Sequence, residues 1–391
     1  MSEAGMGVGH WLIVGWAVLS CVLWTVLYMG AVRGLFTLRA LWEVNPKQPE
    51  RWPTLSVVVP ACNEANTLRA ALATLIAQDY PHLEIVLVND RSTDDTGQLI
   101  DELAASDARI TAVHVHELPD GWLGKVHALD EGYKHASGEW LLFSDADVHF
   151  APGLLEKAMA LAIERKLDHL PLVPELRAGS FWHEVAVDAF GLMFFQSVRA
   201  HALADPESDA YVGAGAFNLV RRASFEQSEG FPWLRMEVAD DVGLGLALHR
   251  AGARAELWLA TRELSVLWYP SLPAMVRGLE KNMYAVVGHF NPAFATARLL
   301  GFVVVVLGPF AGAFVSPWFM LVLLNVPIIS FAMQRRLHQR LAPGLFTPVG
   351  IVLIAFMVAW SGYKCLRQRG IVWRGTRYPL DELRQLQRVK L

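Results

Sequence analysis

Charge is scarce in this 391-residue chain: Asp, Glu, Lys and Arg make up 18% of it, against 53% hydrophobic residues. A soluble domain rarely has so apolar a composition, and mean hydropathy is +0.31, so membrane-crossing segments are the first thing to look for. Excess positive charge is also missing. The net charge of −4 gives no reason to expect a nucleic-acid partner. Cysteine is nearly absent. Cys21, Cys62 and Cys365 lie far apart, which excludes both a disulfide framework and zinc-ligand spacing and suits a reducing compartment.

Long apolar runs are present at both ends. Trp11 to Val32 carries no charge and is long enough for the roughly 30 Å hydrocarbon core. No basic residue precedes it and no cleavage site clearly follows, so it reads as an anchor rather than a signal peptide. Arg33, Arg39, Lys47 and Arg51 follow, which places the next domain in the cytoplasm by the positive-inside rule. A second block from Leu299 to Met333 is broken by Gly308-Pro309 and Ser316-Pro317, which predicts two helices joined near the prolines. A third stretch covers Leu345 to Tyr363 and is followed by a basic tail. Counted as separate crossings, these segments put the tail outside, against the charge rule. The expected organisation is an N-terminal anchor and linker over 1–52, a cytoplasmic domain over 53–292, two or three membrane helices over 293–366, and a basic cytoplasmic tail over 367–391.

Strand and helix alternate between the apolar ends. The runs Leu55–Pro60, Leu83–Asn89, Ile110–His116 and Glu139–Ser144 read as buried strands. Asn66–Gln78, Asp94–Ala105 and Lys125–Ala136 read as helices. The pattern predicts an α/β fold with a mostly parallel sheet, whose ligands sit at the carboxyl ends of the strands. Those ends hold Pro60-Ala-Cys-Asn-Glu64, then Asn89-Asp90-Arg91-Ser92-Thr93-Asp94, then Asp145-Ala-Asp147. Carboxylates directed at one crevice from three strands repel one another unless a metal or hydrogen-bond donors offset them, so binding is the economical explanation. On an extended segment Asp145 and Asp147 point the same way and can hold a hard divalent cation.

In this order the motifs VVVPACNEANTL, IVLVNDRSTDDT, GWLGKVHAL, FSDADV, GAGAFNLVRR and ADDVGLGLALHRAG resemble family 2 glycosyltransferases of the GT-A fold, over roughly Leu55 to Trp268. Within that family the chain looks most like the membrane-bound lipid-glycosylating members, among them ceramide glucosyltransferases and hopanoid- or carotenoid-associated enzymes. The resemblance implies a nucleotide-sugar donor, most often a UDP-sugar, with Mg²⁺ or Mn²⁺. It implies donor contacts at Pro60, Glu64, Asp90, Lys125 and Asp145, and metal ligation by Asp147 and Asp145. Asp240 and Asp241 match the family's acidic pair, with Asp241 as the general base for an acceptor hydroxyl. Acidic capping of the following helix, expected over Val242 to Ala251, explains the same pair without catalysis.

The Q-x-x-R-W motif of processive polysaccharide synthases is missing. Arg277 and Lys281 stand in the corresponding stretch, four apart on one expected helical face, where they can neutralise a diphosphate or lie on anionic lipid. Trp373, Arg374, Arg377 and Tyr378 fold back over the active site or, the slightly favoured alternative, rest at the bilayer surface. The expectation is an inverting hexosyltransferase of the bacterial inner (cell) membrane, with a lipid acceptor and no nucleic-acid partner. The alternatives are a polysaccharide or oligosaccharide synthase and a non-catalytic nucleotide-sugar-binding protein.

Overall fold

The structure is a computed structural model that describes residues 7–197, 199, 202, 203, 205 and 207–390. Residues 1–6 of the expected anchor segment and Leu391 of the expected tail lie outside the described residues. The chain forms two compact units. One gathers residues 38–177, 198–268 and 368–391. The other gathers the segments up to Thr37, 178–197 and 269–367. The linear division at 53–292 therefore does not follow the packing: residues 178–197 and 269–292 join the apolar helices, and the tail joins the α/β unit.

The α/β unit is built on strands β1 (Arg39–Ala40), β2 (Leu55–Ala61), β3 (Leu83–Asp90), β4 (Ile110–Val115), β5 (Trp140–Phe143), β6 (Val148–Phe150), β7 (His169–Val173), β8 (Glu175–Arg177), β9 (Asn218–Arg221), β10 (Trp258–Leu259), β11 (Leu264–Leu267), β12 (Gly370–Trp373) and β13 (Thr376–Pro379). The main sheet has the order β1-β10-β7-β9-β5-β2-β3-β4. Only β9 runs against its neighbours; the other pairs are parallel. Strands covered on both faces must be apolar throughout. Val57, Val58, Val59, Ile85, Val86, Leu87, Leu141 and Leu142 are accordingly buried. Each side chain of this kind contributes about 1.5–3 kcal/mol of burial. The four strands expected from β-branched runs are β2, β3, β4 and β5, each within two residues of its expected ends.

Chain order reverses beside β2: β3 and β4 lie on one side of it and β5 on the other. A crevice opens at such a switch point, beyond the strands' carboxyl ends. It carries the Glu64 loop from β2 and the Asp145 loop from β5. After β5 the chain does not stay extended. Asp145 and Ala146 lie in a short connection, Asp147 in its turn, and β6 enters a separate three-stranded sheet with β11 and β8.

The helix Asp240–Arg250 carries the acidic pair and packs main chain to main chain against residues 212 and 213. A methyl group on Gly245 would run into the Val212 carbonyl, and one on Gly213 into the carbonyl of Asp241. Two glycines thus set the depth at which Asp240 and Asp241 enter the site.

In the helical unit, Val8–Thr37, Pro292–Ala313 and Thr347–Gln368 are long and apolar enough to cross a membrane. Gly308-Pro309 does not break the second of these, contrary to the expectation from sequence. Pro309 lacks the N–H that would bond the carbonyl of Val305, four residues earlier. The indole of Trp24 donates to that carbonyl at 2.8 Å, and Trp16 and Ser20 donate to the carbonyl of Val304 at 2.8 and 3.0 Å. The neighbouring helix supplies what the proline removed, so the helix continues to Ala313. The break falls at residues 314–316, followed by a 3₁₀ segment Pro317–Leu324 and a helix Asn325–Leu337. At 13 residues, that last helix is about 20 Å long, short of the hydrocarbon core.

Gly245→Ala should force the Asp240–Arg250 helix away from Val212 and cost about 1–3 kcal/mol. A thermal or denaturant midpoint several degrees lower checks this. Gly191→Ala, where an added methyl meets nothing within 4 Å, should leave the midpoint in place.

Candidate active site

Lys125 lies in the first turn of the helix Gly124–His135, which leads in from the end of the 116–123 connection. Its ammonium sits 2.8 Å from Asp145 Oδ1 and 3.0 Å from Asp240 Oδ2. Burial opposes the charge, but Asp145, Asp240 and Asp241 outweigh it and hold Lys125 well above the ordinary lysine range. One cation therefore ties together the ends of β5, the helix at 124 and the helix at 240.

Asp241 is held from two sides. The Gly215 N–H donates to its Oδ2 at 2.9 Å and the Val242 N–H to its Oδ1 at 2.8 Å. Gly215 also accepts from the Asp145 N–H at 3.1 Å, so the loop before β9 links both acidic motifs. Burial, then the charge of Asp240, push the Asp241 carboxyl up to about 6, while Lys125 draws it down. Neither aspartate caps the helix. The N-cap is Ala239, without a side-chain bond, and the helix starts at Asp240 rather than Val242. Both aspartates lie in the first turn, where negative charge favours the helix N-terminus, so the helix-start reading and the catalytic one hold together.

Asp147 occupies a turn, so the extended-strand argument for a shared direction with Asp145 does not hold. What joins the two is charge. Burial first, then Asp145 and Glu64, push the Asp147 carboxyl up to about 7. A hard divalent cation relieves that repulsion, and oxygen donors are the set Mg²⁺ and Mn²⁺ prefer. Among the described residues no three His, Cys, Asp or Glu side chains form a closed cage. One or two carboxylates completed by substrate phosphates are the usual arrangement for such ions. The residues fit a cation that arrives with a diphosphate.

The end of the crevice at β2 and β3 is equally connected. Glu64 ends the β2 loop and its carboxylate pairs with Arg374. Asp90 ends β3, is buried, and accepts from Arg91 Nε at 2.7 Å and Nη2 at 3.2 Å. Asn63 Oδ1 accepts the Thr93 N–H at 2.8 Å, which fixes the β2 loop against the β3 loop. Pro60 lies on β2 itself, opposite Val88. The space beside Gly124 is taken by Asp90 and Arg91 and is not open to a ligand.

Sequence reasoning missed Asn63, Arg91, Glu237 and the contacts of the tail. The segment 370–379 is a β-hairpin of the α/β unit. The Thr376 hydroxyl accepts from Arg91 Nη1 at 3.3 Å, and the Tyr378 hydroxyl accepts the Gly124 N–H at 3.2 Å. Beyond it, buried Glu237 accepts the N–H groups of Arg388 and Val389 at 2.6 and 2.9 Å. Residues 370–379 therefore belong to the α/β crevice, which corrects the slightly favoured bilayer-surface placement. No periodicity announces this, because the partners lie some 250 to 310 residues away.

Arg277 and Lys281 belong to the helical unit. They do not share a helical face. The helix Leu272–Leu279 ends before Lys281, and a new one begins at Met283. The hydroxyl of Ser361 explains the interruption, since it donates to the carbonyl of Glu280 and accepts the N–H of Tyr284 at 3.0 Å.

Residues 56–227 match the family model described as Glycosyl transferase family 2. The chain is 36% identical over 98 residues to the 4,4'-diaponeurosporenoate glycosyltransferase of Staphylococcus aureus strain bovine RF122, covering 25% of this chain and 24% of that protein. It is 33% identical over 94 residues to the poly-beta-1,6-N-acetyl-D-glucosamine synthase of Staphylococcus epidermidis, covering 24% and 21%. The chain spans less than half the length of the curated relatives it matches. Among solved structures, the mannosyltransferase PcManGT from Pyrobaculum calidifontis, in complex with GDP-Man and Mn²⁺, superposes with a TM-score of 0.55 at 21% identity, over 90% of this chain and 99% of that one. That likeness is one of fold. With the strand order, the switch-point crevice and the two acidic motifs in place, the fold is of the GT-A type, and residues 56–227 are the segment that matches the family 2 glycosyltransferases.

Proposed function

We propose that this protein is an inverting, metal-dependent transferase that moves a hexose from a UDP-sugar to a hydroxyl of a membrane lipid. The observation that carries this reading is the Asp145–Lys125–Asp240 chain with Asp241 at its end. It sets a cation for a leaving diphosphate beside a carboxylate able to accept a proton. The acceptor oxygen forms its bond to the anomeric carbon as the bond from that carbon to the diphosphate oxygen breaks. The acceptor proton passes to Asp241, and the electron pair leaves with the nucleoside diphosphate. Attack opposite the leaving group inverts the anomeric centre. Lys125 neutralises charge that grows on the diphosphate. Asp147 and Asp145 would hold Mg²⁺ or Mn²⁺, which supplies further stabilisation of that charge.

A lipid acceptor is supported by the three apolar helices and by the relative named for a carotenoid-type substrate. The tail's place in the α/β unit bears on orientation. Two parts of one folded unit lie on one side of a bilayer, so the chain between 269 and 367 crosses an even number of times. Pro292–Ala313 and Thr347–Gln368 supply two crossings. This removes the conflict with the charge rule and is consistent with a cytoplasmic α/β unit in a bacterial inner membrane. The relative named as a polysaccharide synthase favours a second reading, polymer synthesis, and the missing Q-x-x-R-W disfavours it.

The purified full chain, given labelled UDP-sugars, Mn²⁺ or Mg²⁺ and a total lipid extract, should move label into the organic phase. Asp241→Asn should lower turnover about 10²- to 10⁴-fold. No turnover of any UDP-sugar, with Asp241→Asn indistinguishable from wild type, would sink the proposal; label recovered in polymer would replace it with the second reading.

Proton acceptance requires ionised Asp241, so the rate should fall about tenfold per pH unit below about 6. A rate profile that stays flat down to pH 5 contradicts this role. Asp147→Asn removes a charge that Asp145 and Glu64 oppose. Without added metal it should unfold at a higher temperature than wild type at pH 7.5, and Mn²⁺ should stabilise wild type alone. Activity should be lost. An equal Mn²⁺ shift in both proteins would remove Asp147 from the metal site.

A further inference from the structure

We propose that the hairpin Gly370–Pro379 forms a wall of the nucleotide-sugar site and that Arg374, at its tip, binds the nucleoside-diphosphate part of the donor. The inference rests on the transferase reading above and adds to it a binding residue from outside the matched family segment, which ends at residue 227.

Three observations carry it. The first is register. Residues 374, 376 and 378 alternate along the hairpin, and each meets a different loop of the crevice. Arg374 pairs with Glu64 after β2, Thr376 with Arg91 after β3, and Tyr378 with the Gly124 N–H that opens the Lys125 helix. A hairpin that merely packed on the unit would have no reason to meet these three motif positions in succession.

The second is the turn. Trp373 pairs with Thr376, and the two residues between them, Arg374 and Gly375, have φ of 48° and 79°. Such a turn favours glycine and asparagine, and an arginine in the left-handed region costs free energy. The cost is understandable where the guanidinium itself is needed. The next segment is also fastened, through Glu237 to the N–H groups of Arg388 and Val389, so the tip is held in place from beyond.

The third is charge. The crevice collects Glu64, Asp90, Asp145, Asp147, Asp240 and Asp241, which would repel an anionic diphosphate. Lys125 and Arg91 face Asp145, Asp240 and Asp90. Glu64 has Arg374, whose side chain is still a third exposed and open to a ligand. A planar guanidinium can hold Glu64 and present its remaining N–H groups to phosphate oxygens.

Titration of UDP with MnCl₂ into the purified full chain tests this. Arg374→Ala should weaken UDP about ten- to a hundredfold and raise the donor KM alike, with the lipid-acceptor KM unchanged. Arg374→Lys should recover part of the loss. Arg51→Ala, whose guanidinium donates to Glu139 at 3.1 Å ahead of β2 and β5, should bind as wild type. On the wild-type chain, amide exchange over 370–379 should slow when UDP and Mn²⁺ are added, a measurement that needs no variant to fold. Unchanged UDP affinity in folded Arg374→Ala, an equal loss in Arg51→Ala, or unchanged exchange in a wild type that binds UDP overturns the hairpin proposal and leaves the transferase reading standing. A wild type that binds neither UDP nor GDP overturns both.

Discussion

A single ammonium group holds this site together. Six carboxylates are directed at one crevice from the ends of three strands, a turn and a helix start. Unopposed, they would drive those loops apart or take up protons. Lys125 sits between Asp145 and Asp240 and so joins the β5 end to the acidic helix. Asp241, one residue along, then has a fixed position and a carboxyl raised toward 6. Asp145 has a partner within 3 Å, whereas Asp147 feels burial and two like charges.

That arrangement depends on backbone approaches that side chains would block. The acidic helix reaches Asp145 only because Gly213 and Gly245 let it touch the segment before β9. Gly215 then spends both its main-chain groups on the two acidic motifs, its N–H on Asp241 and its carbonyl on Asp145. A methyl group on Gly213 would meet the Asp241 carbonyl and one on Gly215 the Asp145 carboxylate, so the room beside both glycines is occupied by protein.

Much of the fold was legible because it rests on local rules. Fully buried parallel strands must be apolar runs, so β2 to β5 showed themselves, and the acidic residues at their ends marked the crevice. Asp240 and Asp241 were legible through motif order. Their helix boundary was not, since an acidic pair before an apolar helix looks the same whether it caps the helix or opens it. Pro309 misled for a physical reason. A proline breaks a helix unless a neighbour satisfies the orphaned carbonyl, and nothing near Pro309 in sequence announces that Trp24 does so. Arg277 and Lys281 failed as a helical pair because Ser361, 80 residues away, interrupts the helix between them.

The tail shows where sequence reasoning ends and what structure adds. Basic and aromatic residues after an apolar span suit a bilayer surface, and composition alone ranks that placement first. Specific hydrogen bonds outrank it: Tyr378 to Gly124, Thr376 to Arg91, and the Arg388 and Val389 N–H groups to buried Glu237. Burying Glu237 without those donors would cost several kcal/mol, so its position presupposes the tail. The α/β unit is therefore complete only when the last 24 residues, 368–391, return to it across the apolar helices. The chain that threads the helical unit and the chain that closes the acidic crevice are one, so the α/β unit depends on a segment that lies beyond all three apolar helices in sequence.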